Sequence, residues 1–135
     1  RIDKIIGSQI KNKKISFLGV TFKPNTDDMR DSTSLKMIPY VSKKGANVVY
    51  YDPTGEKKEF KNLSNCKYIN DIKNACDNAD LIILHTEWDE FKSLDFRKIS
   101  KNKNVKIYDL RNLYDYNDMA AKKIKYFSIG RPDIT

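Results

Sequence analysis

Histidine and tryptophan each occur once in this chain, as His85 and Trp88, and cysteine twice, as Cys66 and Cys76. Neither cysteine stands in a C-x₂-C pair, and a lone histidine cannot complete an ordinary zinc site, so no metal centre is expected. The same scarcity favours a reducing, cytoplasmic setting over a secreted disulfide scaffold. No stretch approaches the ~18 apolar residues of a membrane span. Residues 1–14 are charged and amphipathic, without the apolar centre of a signal peptide. An initiator methionine is missing as well, so the chain reads as a piece of a longer protein. Glycine is sparse, and after the first apolar run only Gly19 is present. The G-x-G-x-x-G turn of dinucleotide-binding domains is therefore absent. Arginine is sparse too: Arg1, Arg30, Arg97, Arg111 and Arg131 are the only five among 26 basic residues. In a chain that otherwise uses lysine, each arginine raises the question of planar, two-pronged anion binding.

What remains suits one globular domain. A chain of 135 residues with 39% apolar content can bury a substantial core. Its net charge of +8 raises the question of nucleic acid or a membrane surface. The lysines, however, are scattered along the whole chain and form no stripe, so the expectation is no nucleic acid and no membrane partner.

The apolar pattern alternates strands with helices. Ile2, Ile5, Ile6 and Ile10 recur at helical spacing, which predicts a helix over 1–11 stopped near Asn12. Lys14 to Val20 reads as a buried strand. A helix follows over 34–44, capped by Asp31 or Ser32, disturbed by Pro39 and ended by Gly45. Further strands are expected at 47–51, 66–69, 81–84, 105–109 and 126–129, the last an edge strand, with short helices at 71–78, 95–100 and 119–123. Residues 54–65 read as a surface excursion, and Arg131-Pro132 as tail. The result is an α/β fold, a Rossmann-like, doubly wound, mostly parallel sheet flanked by helices.

The most charged connection is Phe22-Lys23-Pro24-Asn25-Thr26-Asp27-Asp28-Met29-Arg30-Asp31-Ser32, at the carboxyl end of the first strand. Open α/β sheets bind ligands there. Two other central strands also end in polar tips, Glu87-Trp88 and Asp109-Leu110-Arg111, so Lys23 and Arg111 are expected at one edge. Lys23 reads either as a phosphate or substrate contact or as one more solvated lysine. Arg30 can serve a ligand or pair locally with Asp27, Asp28 or Asp31. Arg111 offers a fork for phosphate or pairs with Asp109 or Asp115. Trp88 and Phe91 are read as packing over the sheet edge. His85 has no companion nucleophile and is read as structural. Neither Cys66 nor Cys76 sits in a nucleophile motif, so no catalytic residue is expected in this chain.

The loop at 22–32, together with Tyr51-Asp52-Pro53, Thr86-Glu87-Trp88-Asp89-Glu90-Phe91, Asp109-Leu110-Arg111-Asn112 and Ser128-Ile129-Gly130-Arg131, closely resembles the UDP-glucose/GDP-mannose dehydrogenase family. The likeness covers about residues 14–131, and the Thr-Glu-Trp-Asp-Glu-Phe run is more similar to the UDP-glucose branch. It implies the end of an inter-domain linking helix at 1–13 and a UDP-binding C-terminal domain at 14–135. It further implies oxidation of UDP-glucose to UDP-glucuronate with two NAD. The catalytic cysteine and the NAD-binding Rossmann domain are expected upstream, and a homodimer in the full-length enzyme. By the same resemblance Phe22, Lys23 and Arg111 bind the UDP-sugar, and Arg30 reaches the NAD held mainly by the other domain. Leu110 stands where many members have glycine, and Asp31 where glutamate is common. The alternatives are a dehydrogenase of another nucleotide sugar, or a non-catalytic basic α/β nucleotide-binding module.

Overall fold

The computed structural model describes residues 1–7 and 9–135. Six apolar runs form strands: β1 Lys14–Leu18, β2 Asn47–Tyr51, β3 Cys66–Tyr68, β4 Leu81–Leu84, β5 Lys106–Asp109 and β6 Lys125–Ser128. They make one sheet in the order β3-β2-β1-β4-β5-β6. Every neighbouring pair is parallel, so the sheet is more uniform than the mostly parallel one expected. A parallel sheet needs cover on both faces, and the side chains supply it by simple alternation. Ile15, Phe17, Val48, Tyr50, Leu81 and Ile83 pack on one face with Ile5, Ile38 and Val41. Leu18, Ile82, Leu84, Ile107 and Tyr126 pack on the other with Cys76, Phe96 and Met119. Each fully buried aliphatic or aromatic side chain contributes about 1.5–3 kcal/mol.

Five helices provide that cover: α1 Ile2–Ile6, α2 Ser34–Lys43, α3 Ile72–Cys76, α4 Phe96–Ile99 and α5 Tyr116–Ala121. The last three start at aspartates, Asp71, Asp95 and Asp115, whose carboxylates accept amide protons from the first turn. The first helix is shorter than the isoleucine spacing predicts. It ends at Gly7 with φ 86°, and Ile10 is buried without belonging to it; Ser8, inside the expected span, lies outside the described residues. Asp31 does not cap α2, because its backbone is left-handed at φ 61°. Nor does Ser32: the N-cap is Thr33, without a side-chain cap bond, and the Ser32 Oγ just before it accepts the Ser34 amide at 3.3 Å and donates to Val20 O at 2.6 Å. The 54–65 excursion is not all surface, since Phe60 is buried beneath a short 3₁₀ turn. Nor is the C-terminus loose. Ile134 forms an antiparallel bridge to Tyr126, covering the β6 edge, and Arg131 stacks over Tyr116 and Tyr126.

Candidate functional site

The strand order reverses direction between β1 and β4, which is where an open α/β sheet has its crevice. In register, Leu18 of β1 faces Leu84 of β4, and Leu84 faces Asp109 of β5, so the three following loops share one edge. Gly19 lets the first two tips close together. Its φ is 78°, and a Cβ there would come within 2.6 Å of Thr86 Cβ.

The β1 loop folds on its own short-range contacts. Thr21 is buried and its hydroxyl donates to Lys23 O at 3.0 Å. The Phe22 amide donates to Asp28 O at 3.0 Å, closing the loop and leaving the Phe22 ring 46% exposed beside an exposed Lys23. Of the acidic partners open to Arg30, Asp28 takes it, through two bonds of 3.0 Å from Nε and Nη2. That hydrogen bonding holds the Asp28 carboxyl down to about 2. The Arg30 side chain is still 88% exposed.

Arg111 is held differently. Its Nε donates to His85 O at 2.9 Å and lies 3.7 Å from Glu87 Oε2. The partner is therefore Glu87 at the β4 tip rather than Asp109 or Asp115. Asp109 supports the loop instead. Wholly buried, it accepts the amides of Arg111 at 3.1 Å, Leu113 at 2.8 Å and Tyr114 at 3.2 Å, and the Tyr126 hydroxyl at 2.5 Å. Leu110 packs onto the first core cluster. Sequence reasoning missed Glu87, and named Asp109 as an ion-pair partner where it is the acceptor of the loop's amides. The available signal was an acid at each neighbouring strand tip.

His85 is buried with both ring nitrogens engaged, Nε2 with Thr33 Oγ1 at 2.9 Å and Nδ1 with Thr86 Oγ1 at 3.0 Å. Burial, helped by the Arg111 charge, pushes its pKa down to about 4, so the ring is neutral at physiological pH. Phe91 is buried and Trp88 packs against the same cluster. The Trp88 indole N–H is buried without a partner among the described residues. Burial pushes the thiols of Cys66 and Cys76 up to about 12, which leaves both protonated and unreactive. No cluster of metal-ligating side chains occurs among the described residues.

Phe22, Lys23 and Arg111 thus stand at one edge, on the loops either side of β4. Arg30 is set apart, lining a groove of about 550 Å³ between the β1 loop and residues Thr54–Lys61. The strand order is that of a dinucleotide-binding domain, but the β1 turn does not fit NAD. The Val20 amide, a natural donor to pyrophosphate, is taken by Asp52 Oδ2 at 2.8 Å. The Val20 carbonyl accepts both Ser32 and Ser34 hydroxyls at 2.6 Å. Asp52 itself ends β2, where an acid would meet a ribose, yet it is fully buried and bonded to the Thr54 amide and hydroxyl. The Val20 amide is therefore not free to cradle a phosphate in the usual way.

An all-parallel doubly wound sheet with its switch point between β1 and β4 is the architecture of nucleotide-binding α/β domains. Residues 16–116 match the family model described as UDP-glucose/GDP-mannose dehydrogenase family, UDP binding domain. The chain belongs to that family. It is 41% identical over 94% of its length to the UDP-glucose 6-dehydrogenase of Rhizobium meliloti (strain 1021), and 36% identical over 96% to that of Rickettsia bellii (strain RML369-C). It spans only 29% and 31% of those proteins. Among solved structures it resembles the NDP-N-acetyl-D-galactosaminuronic acid dehydrogenase of Methanosarcina mazei Go1. The TM-score is 0.79 at 25% identity, covering 96% of this chain and 27% of that one.

Proposed function

We propose that this chain is the UDP-sugar-binding part of a UDP-glucose 6-dehydrogenase, which oxidises UDP-glucose to UDP-glucuronate with two NAD. The observation that carries the reading is the placement of Lys23 and Arg111 on the loops either side of the β4 tip, with the Phe22 ring exposed next to Lys23. A UDP pyrophosphate carries two adjoining negative groups. Lys23 supplies a mobile point charge for one, and Arg111 a planar fork for the other, since only its Nε is committed to His85 O. Phe22 offers an apolar surface to the rest of the sugar nucleotide. Residues 1–13 are assigned to the end of a linking helix and 14–135 to the UDP-binding domain. The reading extends to a cytoplasmic homodimer.

The redox chemistry belongs to the remainder of the enzyme. Both thiols here are protonated, and both nitrogens of the one imidazole are already bonded. NAD would supply the hydride acceptor when bound, and the occupied Val20 amide of the β1 turn supports a main cradle in another domain. Arg30, free at the surface apart from Asp28, is the residue we assign to reach toward it. The sugar could differ from glucose, as the M. mazei relative is named for another nucleotide sugar; the two curated relatives favour UDP-glucose.

Side-by-side calorimetric titration of UDP, UDP-glucose and GDP-mannose tests the reading. UDP and UDP-glucose are expected to bind with Kd between high micromolar and millimolar, about 4–6 kcal/mol, and GDP-mannose more weakly. Adding NAD to the UDP-glucose complex should give no NADH. A preference for GDP-mannose, or heatless titrations with all three, would contradict it.

A further inference from the structure

We propose that His85 is a positioning residue: through its ring and its carbonyl it ties the β1 loop and the β5 loop together, setting Lys23 and Arg111 apart by a fixed span for a nucleotide pyrophosphate. The ligand in this statement rests on the UDP-binding reading above; the tie itself rests on hydrogen bonds.

The direction of those bonds follows from one proton. The Thr86 hydroxyl donates to Thr21 O at 2.9 Å, so towards His85 it can only accept. His85 Nδ1 therefore carries the ring hydrogen. The neutral ring then has a bare Nε2, which accepts from the Thr33 hydroxyl at 2.9 Å. Thr21 opens the β1 loop and Thr33 closes it at the start of α2. A single imidazole thus holds both ends, one directly and one through Thr86. The Thr21 hydroxyl carries the link onward to Lys23 O at 3.0 Å. On the other side, the His85 carbonyl takes Arg111 Nε at 2.9 Å.

This arrangement uses what imidazole has and a core-filling residue lacks: a donor and an acceptor at opposite corners of a rigid plane. Phenylalanine would fill the same volume and keep the carbonyl, but its ring would join neither threonine. The linkage also makes a directional claim. Thr33 is exposed, and the hydrogen-bonded route from it to Arg111 runs through His85.

The test uses the 135-residue chain and two variants, Thr33→Val and His85→Phe. Thr33→Val removes one surface hydroxyl and keeps the shape, so it stays folded even if His85→Phe does not. The Arg111 Nε–H resonance is followed by NMR, with amide exchange at Phe22 and Leu113. Thr33→Val is expected to shift the Arg111 resonance and to speed exchange in both loops about tenfold, the effect of losing one ordinary hydrogen bond. UDP affinity should fall by a similar factor, and His85→Phe should reproduce all of it. An Arg111 resonance unmoved by Thr33→Val, with exchange changed only in the β1 loop, would overturn the proposal. Should wild type bind no UDP, the nucleotide reading fails while the Arg111 resonance still decides the linkage.

Discussion

Arg30 and Arg111 reach the same end of the sheet in opposite states. Arg30 is 88% exposed and its fork is filled by Asp28, two residues away in its own loop. The Arg111 side chain is 34% exposed and is oriented from another strand, by Glu87 and His85 at the β4 tip, while Asp109, two residues back, accepts only its backbone amide. The first arrangement assembles locally and yields easily to a competing anion. The second is built only when β4 and β5 pair, so its geometry is set before any ligand arrives. Preorganisation of that kind lowers the cost of binding, so Arg111 is the prepared member of the proposed site, while Arg30 has first to leave Asp28.

The harshest way to break the contrast is to remove what holds the β5 loop. Asp109→Ala strands three amides and a tyrosine hydroxyl in a buried site. Urea unfolding should show a loss of roughly 3–5 kcal/mol, given the cost of each unsatisfied buried donor. A loss under about 1 kcal/mol would mean the loop holds itself.

Acid should attack the same region next. His85 has a pKa of about 4 in the folded chain against 6.5 for the free side chain. Between those values the unfolded state binds a proton that the native state refuses. Stability therefore falls as pH drops from 6.5 towards 4 and stops responding to this group below that. The full span is about 3 kcal/mol at 1.36 kcal/mol per unit. The measurement is urea unfolding between pH 7.5 and 4, where His85→Gln should flatten that limb. An unchanged limb in the variant would assign it to other groups.

Arg111→Lys sharpens the contrast rather than breaking it. The charge stays and the fork goes, so stability should barely change while UDP binding weakens by about 1.5–3 kcal/mol, the worth of one charge-assisted hydrogen bond. Wild-type affinity would remove Arg111 from the site. The smallest effect is expected at Arg30. Arg30→Ala should leave both Tm and UDP affinity unchanged, because its one partner is surface Asp28. In the whole dehydrogenase it should raise KM for NAD more than KM for UDP-glucose, and equal changes would contradict the assignment.

The same local-against-distant distinction explains what could be read in the sequence. The runs Ile-Ser-Phe-Leu, Val-Val-Tyr-Tyr and Leu-Ile-Ile-Leu announce buried strands by themselves, and the shared edge of Lys23 and Arg111 follows once those strands are parallel. The Asp28 partnership was within reach because both members lie in one loop. Glu87 as the partner of Arg111 was not, since 24 positions separate them and only the β4–β5 register joins them. His85 reads as structural in the sequence because no companion nucleophile or metal ligand stands near it, and its partner Thr33 lies 52 positions away. Arg131 was taken for tail because its stacking partners, Tyr116 and Tyr126, meet it only after β6 has folded against α5. The helix over 1–11 failed for a local reason, the left-handed Gly7, that the isoleucine spacing masked.

The central claim is that Lys23 and Arg111 form one nucleotide-phosphate site across the β4 tip. It is tested most directly by titrating UDP into the isotope-labelled chain and following individual resonances. The account predicts that Phe22, Lys23 and Arg111 move together along one saturation curve while the Arg30 side chain stays still. Movement at only one of the two loops, or separate curves for Lys23 and Arg111, would contradict it.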